Sequence, residues 1–332
     1  MSNYLTKKNN PDTDRFRYFQ EVLFRAEAQN SWFTPENLDF SIQQWANVLS
    51  EDNLNKWLKT YEVESEEKPK TVAIIMAGNI PLVGFHDFLC VLLSGNRVLA
   101  KLSSSDQLLL PFLTEILMEH TPELTNLIEF TTEKLTDFDA VIATGSNNTS
   151  RYFEYYFGKY PNIIRKNRNS VAILTGNESH EELQALSKDV FQYYGLGCRN
   201  VSKLYVPRDY NFDAFFKAMF DFKEIINQHK YANNYDYNKA VYLMSNIKIL
   251  DNGFLVLKED QGFSSPIACL FYEFYEDRNL LKEKLISENG QIQCIVSQGW
   301  FTTEISFGKS QTPTLQDYAD GVDTMEFLLG LS

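Results

Sequence analysis

From residue 71 onward, short unbroken apolar runs alternate with longer stretches whose apolar residues recur at helical spacing. "TVAIIM", "RVLAKL", "DFDAVIATGS", "NSVAILTG" and "SKLYVP" read as buried strands, apolar on both faces rather than on alternate residues. Between them, "LVGFHDFLCVLL", "QLLLPFLTEILMEH", "NTSRYFEYYFGKY" and "SHEELQALSKDVFQYYG" read as helices. This alternation predicts βαβ units and a parallel sheet, an α/β fold. Ligands of such sheets bind beyond the carboxyl ends of the strands. Those ends are the loops at Ala77–Pro81, Lys101–Ser105 and Thr144–Ser146.

The remainder of the chain frames this region. Residues 14–66 read as helical and charged, with Thr34 as an N-cap, Pro35 at the first helical position and Glu36 in the first turn. "YEVESEEKPK" reads as a charged linker, and "SSSD" as the N-terminus of the helix that follows it. A mixed region with several short strands spans about 210–305, and the tail holds Gly321 and a final apolar helix. No internal repeat or low-complexity segment occurs.

Length and charge narrow the function. A chain of 332 residues suits two lobes or one large α/β domain with additions. The formal charge of −13 argues against nucleic-acid binding, which needs clustered Lys and Arg. No signal peptide and no span long enough for a bilayer are read. The cysteines, at 90, 198, 269 and 294, have neither disulfide-framework nor zinc spacing, and the four histidines do not cluster with them. The reading is a reduced, cytoplasmic, metal-free protein.

Cys90, Cys269 and Cys294 have apolar neighbours at core spacing and read as buried small hydrophobes. Cys198 is different. In "QYYGLGCRN" it follows a glycine turn and precedes Arg199, so it is either a loop cysteine or a reactive thiol whose thiolate a cation favours. Asn79, in "MAGNIP", is either a turn residue or an amide aimed at a developing oxyanion. Lys101 is a solvated strand-end lysine or a ligand of ribose or phosphate. Gly145 and Ser146 can present N–H groups to phosphate at a helix N-terminus. His86 reads as a packed helix-face histidine. Tyr155, Tyr156, Phe157, Tyr193 and Tyr194 are helix packing or the lining of a tunnel. Neither GxGxxG nor a Walker A pattern occurs.

The order of "AGNIP", "VLAKLSSSD", "ATGS" and "GLGCRNVSKLYV" resembles the aldehyde dehydrogenase superfamily, and the likeness runs over about residues 70–305 through "DQGFSSPIACLFYEF" and "ENGQIQCIVSQ". Within it the chain is most similar to the LuxC-type acyl-CoA (fatty acid) reductases, which share the Gly-Asn-Ile-Pro loop, the Lys101–Asp106 run and the Cys198–Ser202 run. The resemblance implies a Rossmann-like parallel-sheet cofactor domain plus an α/β catalytic domain. It divides the chain into an N-terminal helical segment packing on the cofactor domain (1–66), a nicotinamide dinucleotide-binding domain (67–167), a catalytic domain with the nucleophilic cysteine (168–305) and a tail (306–332).

By the same resemblance, Cys198 and Asn79 are catalytic, while Lys101, Ser103, Ser104, Gly145, Ser146 and Gln261 hold the cofactor. Two departures from the pattern carry information. Arg165 falls where acid-forming members have a general-base Glu, which favours thioester chemistry over release of a free acid. Ser104 stands where an acidic residue is usual, which spares a 2′-phosphate from repulsion and favours NADPH, with NADH as the alternative. Gln261 replaces the Glu that usually holds the nicotinamide ribose. The implied activity is NADPH-dependent reduction of an acyl-CoA to the aldehyde through a Cys198 acyl-enzyme. A cysteine acyltransferase or thioesterase without hydride transfer, and a non-catalytic scaffold, are the alternatives. The family's habits add a homodimer and an acyl-supplying partner protein as candidate associations.

Overall fold

Unbroken apolar strands need cover on both faces, and the structure supplies it twice. In the computed structural model, which describes residues 14–62 and 68–331, the chain falls into two compact units. One runs to Asn167 and takes up the chain again at Thr314; the other is Arg168–Pro313. The predicted tail is thereby shared, with 306–313 in the second unit and the rest in the first. The polar N-terminal stretch to residue 13 and the middle of the charged linker, 63–67, lie outside the described residues.

The first unit is built on a five-stranded sheet of β1 (Thr71–Ile75), β2 (Arg97–Lys101), β3 (Ile128–Thr131), β4 (Ala140–Thr144) and β5 (Asn162–Arg165). The order is β3-β2-β1-β4-β5 and every pairing is parallel. Helices α1 (Asp14–Gln29), α2 (Pro35–Val48), α3 (Glu51–Leu58), α4 (Phe85–Leu93), α5 (Leu109–His120) and α11 (Thr324–Leu329) share one apolar core with Val72, Ile74, Val98, Ala100 and Ile142. On the other face Ala73, Leu99, Val141 and Ala143 meet Phe153 and Phe157 of α6 (Asn147–Phe157). Thr34 does take the N-cap position of α2, with Pro35 at the start of the helix, but its side chain makes no capping bond. The helix expected to begin at "SSSD" begins at Leu109 instead. The serines fold a turn of their own, with Ser105 N–H donating to Ser103 Oγ at 3.2 Å and Asp106 N–H to the Ser103 carbonyl at 3.1 Å.

His86 is stacked on Trp57 and Trp45, with Nε2 3.0 Å from the Leu315 carbonyl; burial lowers its pKa. Tyr318 of the tail accepts from Trp57 Nε1 at 2.7 Å, and Tyr61 donates to Asp323 at 2.7 Å. Arg165 closes the same assembly. It is buried at the end of β5, grips both oxygens of Asp87 on α4 and donates to Thr324 Oγ1 at 3.0 Å. Burial disfavours its charge, but the Asp87 carboxylate outweighs burial and raises its pKa. This arginine joins sheet, helix and tail.

The second unit holds β6 (Asn169–Ile173), β7 (Val201–Pro207), β8 (Ile249–Asp251), β9 (Val256–Glu259), β10 (Cys269–Tyr275) and β11 (Ile292–Val296), in the order β11-β6-β7-β10-β9-β8. Only β8 is antiparallel to its neighbour. Helices α7 (His180–Phe191) and α8 (Phe212–Met219) cover one face; Leu281 and Leu285 of α10 (Arg278–Ser287) pack on the other. Helix α9 (His229–Met244) buries Tyr231, Tyr235 and Asn238. No helix among the described residues is long and apolar enough to cross a membrane.

The ion pair of Asp87 and Arg165 gives the fold its most direct test. Asp87→Ala leaves a buried guanidinium without its carboxylate and should destabilise the first unit by about 3–5 kcal/mol. Urea denaturation measures this; a midpoint equal to that of the wild type contradicts the assigned role.

Candidate active site

Six of the eight site residues read from the sequence lie at one edge of the first sheet. The register sets Ile75 opposite both Lys101 and Ala143, so β1, β2 and β4 end level. The loops beyond them carry Asn79, then Ser103 and Ser104, then Gly145 and Ser146. β1 sits where the strand order turns, with β2 on one side and β4 on the other, and this is where open α/β sheets form a ligand crevice. Asn79, Ser104 and Ser146 are exposed.

These loops are braced by residues that the sequence pattern does not single out. A Cβ on Gly78 would come 2.5 Å from Ser103 Oγ, so the loops after β1 and β2 touch and only glycine fits. From the end of α1, Gln29 donates to the Ser104 carbonyl at 2.9 Å, and the Asn30 amide donates to the carbonyls of Gly78 (3.3 Å) and Ser105 (3.4 Å). Leu82 has φ +58, a left-handed conformation uncommon outside glycine, and its N–H goes to Asp106 Oδ2 at 3.2 Å. Lys101 Nζ donates to the Glu133 carbonyl at 2.9 Å. Ser146 caps α6 by accepting the Thr149 N–H at 3.2 Å.

Cys198 and Gln261 belong to the second unit. Cys198 is exposed, whereas Cys90 and Cys269 are buried, with thiols pushed up by burial, that of Cys269 to about 12. Cys294 departs from the expectation of a buried core residue. It is half-buried, and its Sγ is 2.9 Å from Ser170 Oγ. The turn that presents Cys198 is unusual in its backbone. Tyr193 (φ 54), Tyr194 (φ 59) and Gly195 (φ 75) are left-handed in succession. Each non-glycine residue there costs roughly 1–2 kcal/mol, so something must hold the turn.

Asn200 does so. It is 2% exposed. Its amide donates to the carbonyls of Asp189 (3.1 Å), Val190 (3.4 Å) and Gln192 (2.8 Å), at and just beyond the end of α7, while its Oδ1 accepts from Gly197 N–H at 2.8 Å. Ser170 Oγ donates to the Cys198 carbonyl at 3.0 Å. Arg199, expected to sit near the thiol as a cation, directs its Nε to the Ser310 carbonyl at 2.6 Å. Asp189 in turn accepts from the N–H groups of Gly308 (2.6 Å) and Ser310 (2.9 Å). Between Ser170 and Val171 the pairing with β7 slips by one residue, at Ser202; such a bulge re-aims side chains beside the cysteine. Gln261 lies on the exposed turn after β9, its carbonyl accepting from Lys203 Nζ at 2.7 Å. Of the aromatic residues, Tyr193 is buried, Phe157 packs on Phe138 and Phe153, and Tyr155 and Tyr156 are exposed.

Burial pushes the Asp106 carboxyl up from 3.8 to about 6. A raised carboxyl binds its proton more tightly in the fold than in the unfolded chain. The stability it lends is therefore present below pH about 4 and is lost as pH rises through about 6. Asp106→Asn keeps an acceptor for Leu82 and cannot ionise. It should stabilise the protein by about 1–2 kcal/mol at pH 8, with the gain gone by about pH 4. The same gain at both pH values in thermal denaturation contradicts this.

Comparison with known proteins bears on the fold and the family. Among solved structures, an indole-3-acetaldehyde dehydrogenase mutant of P. syringae in complex with NAD+ and IAA superposes with a TM-score of 0.60 at 14% identity, over 85% of this chain and 70% of that one. An aldehyde dehydrogenase of Mycobacterium tuberculosis complexed with NAD+ gives 0.59 at 15%, over 91% and 72%. Lactaldehyde dehydrogenase from Escherichia coli gives 0.58 at 13%, over 86% and 74%. These likenesses establish the aldehyde dehydrogenase fold. A search of curated proteins finds no significant match. The family model described as acyl-CoA reductase (LuxC) matches residues 2–219, well over half of the chain, and the protein belongs to that family.

Proposed function

We propose that the protein reduces an acyl-CoA to the aldehyde with NADPH, by way of a thioester on Cys198. The observation that carries this reading is the exposed Cys198 on a strained turn clamped by Asn200, in a chain of the acyl-CoA reductase family. Family and fold support an oxidoreductase acting on acyl or aldehyde groups. Thioester, cofactor and site residues are the finer part of the proposal.

The Cys198 sulfur attacks the thioester carbonyl, and the CoA thiolate leaves as the acyl-enzyme forms. The backbone N–H of Cys198 is one donor for the tetrahedral oxyanion, and the family likeness assigns the amide of Asn79 as another. By the family likeness, position 165 is where acid-forming members carry a water-activating Glu; here it is a buried, ion-paired arginine, which supports reduction of the acyl-enzyme over its hydrolysis.

The loops of the first sheet suit a dinucleotide. An ammonium (Lys101), three hydroxyls (Ser103, Ser104, Ser146) and the N-terminal N–H groups of α6 are the donors that a diphosphate and its riboses require. Gly78 packs so closely on Ser103 that the backbone itself shapes the edge of the crevice. Two of the similar structures contain NAD+, which supports a nicotinamide cofactor. When bound, it would supply the hydride. Ser104 puts no carboxylate against a 2′-phosphate, which is the ground for preferring NADPH to NADH.

Replacing Cys198 tests the reading. With NADPH and a saturated acyl-CoA series from butyryl-CoA to palmitoyl-CoA, the wild type should oxidise NADPH and release CoA. Cys198→Ala should do neither, while its stability changes by less than about 1 kcal/mol, as for an exposed side chain. Retained turnover in that variant contradicts the proposal.

A further inference from the structure

Ser170 is wholly buried on β6, and its hydroxyl meets two groups that lie far apart in the sequence. Oγ donates to the Cys198 carbonyl at 3.0 Å and is 2.9 Å from Cys294 Sγ on β11. A serine hydroxyl carries one proton. With that proton on the carbonyl, the contact to Cys294 runs the other way, from the thiol S–H into Oγ. Two hydrogen bonds in series thus lead from Cys294 through Ser170 to Cys198. An apolar side chain at 294 would fill the space but give Ser170 no donor, so packing alone does not account for a thiol there.

The sheet is distorted where these residues meet, and all of them belong to the second unit. β6 slips against both of its neighbours at Ser170. Against β7, Ser202 is the extra residue between the pairs Ser170–Val201 and Val171–Lys203. Against β11, Gln293 and Cys294 stand between the pairs Asn169–Ile292 and Val171–Ile295, so two residues face Ser170 alone. Bulges of this kind redirect side chains and are over-represented beside active sites.

The bond to Cys198 has a chemical consequence. Two peptide groups flank this residue, and each is held by its carbonyl. That of Gly197 accepts from Asn200 N–H at 3.0 Å, and that of Cys198 accepts from Ser170. In a trans peptide the N–H points away from the carbonyl, so anchoring the Gly197 carbonyl sets the direction of the Cys198 N–H. Anchoring the next carbonyl fixes φ and ψ of Cys198, and with them the place of its Cβ relative to that N–H. Attack on a thioester needs both at once, the sulfur on the carbon and the N–H on the developing oxyanion.

We infer that Ser170 and Cys294 are positioning residues for acylation: the Cys294 thiol orients the Ser170 hydroxyl, which holds the Cys198 carbonyl and so sets the sulfur and the backbone N–H of Cys198 in register for the tetrahedral step. This rests on the reading of Cys198 as the acylated nucleophile.

The test compares two reactions of the same sulfur. Acylation is the CoA burst from the acyl-CoA series without NADPH, followed by quenched flow. Alkylation of Cys198 by iodoacetamide, read on its peptide by mass spectrometry, forms no oxyanion. Ser170→Ala should slow the burst by about tenfold and Cys294→Ala by about threefold, with the half-saturating acyl-CoA concentration within about twofold of the wild type. Cys294→Ser, which restores a donor, should bring the burst back to within about twofold. Alkylation should stay within about twofold of the wild type in all three variants. A burst in Ser170→Ala equal to that of the wild type overturns the inference, and so does alkylation that falls as far as acylation. A Cys294→Ser variant no faster than Cys294→Ala overturns the role of the thiol. If Ser170→Ala does not fold, the two Cys294 variants decide by the same readings. A wild type without any burst overturns the acyl-enzyme reading and the inference with it.

Discussion

The place of Cys198 depends on the buried side chain of Asn200. Helix α7 must end and β7 begin within a few residues, and the chain makes that change through Tyr193, Tyr194 and Gly195, all left-handed. The end of a helix leaves carbonyls without partners. Asn200 takes three carbonyls there with its amide and the Gly197 N–H with its oxygen. Bonds that would otherwise go to water are closed internally, and the strain persists because the surroundings over-determine the turn. Ser170, Asp189 and the 308–310 segment add to the same clamp. An exposed thiol on a turn held at several points follows from this arrangement, which suits the attack on a thioester proposed for it.

The first unit solves a related problem with a sheet. Parallel strands in register end level, so loops far apart in sequence share one edge. The edge alone would leave those loops mobile. Gln29 and Asn30, at the end of α1, tie the loops after β1 and β2 together, which gives the N-terminal helices a part in shaping the crevice as well as in covering the core. The left-handed Leu82 and the poorly solvated Asp106 lie in the same braced region. Stability given up beside a candidate ligand crevice fits a site shaped for binding.

Much of the fold was legible in the chain, and the limits have physical causes. The five apolar runs that sequence reading took as strands all became strands, because full burial on both faces leaves an unmistakable pattern. β3 and β5 escaped notice because they are four-residue edge strands with interrupted burial. "SSSD" misled because serines that bond to their own turn look like a cap in sequence. Around Cys198 the glycines and the cysteine stood out. Asn200, Ser170 and Lys203 did not, since their partners lie on carbonyls and strands that sequence spacing cannot bring together. Asn30 was hidden for the same reason; Asp106 stood out as the end of the Lys101–Asp106 run, but its bond to the Leu82 N–H did not. Arg165 shows the opposite: the family resemblance read it as a departure from the pattern, and the structure shows it in the ion pair with Asp87.

The central claim is a thioester on one particular sulfur. Intact-mass and peptide mass spectrometry of the wild type, after incubation with an acyl-CoA and without NADPH, tests it most directly. The expected result is a mass gain of one acyl group on the peptide holding Cys198, lost on treatment with neutral hydroxylamine, with Cys90, Cys269 and Cys294 unmodified. No adduct across the acyl-CoA series, or an adduct on another cysteine instead, would contradict it.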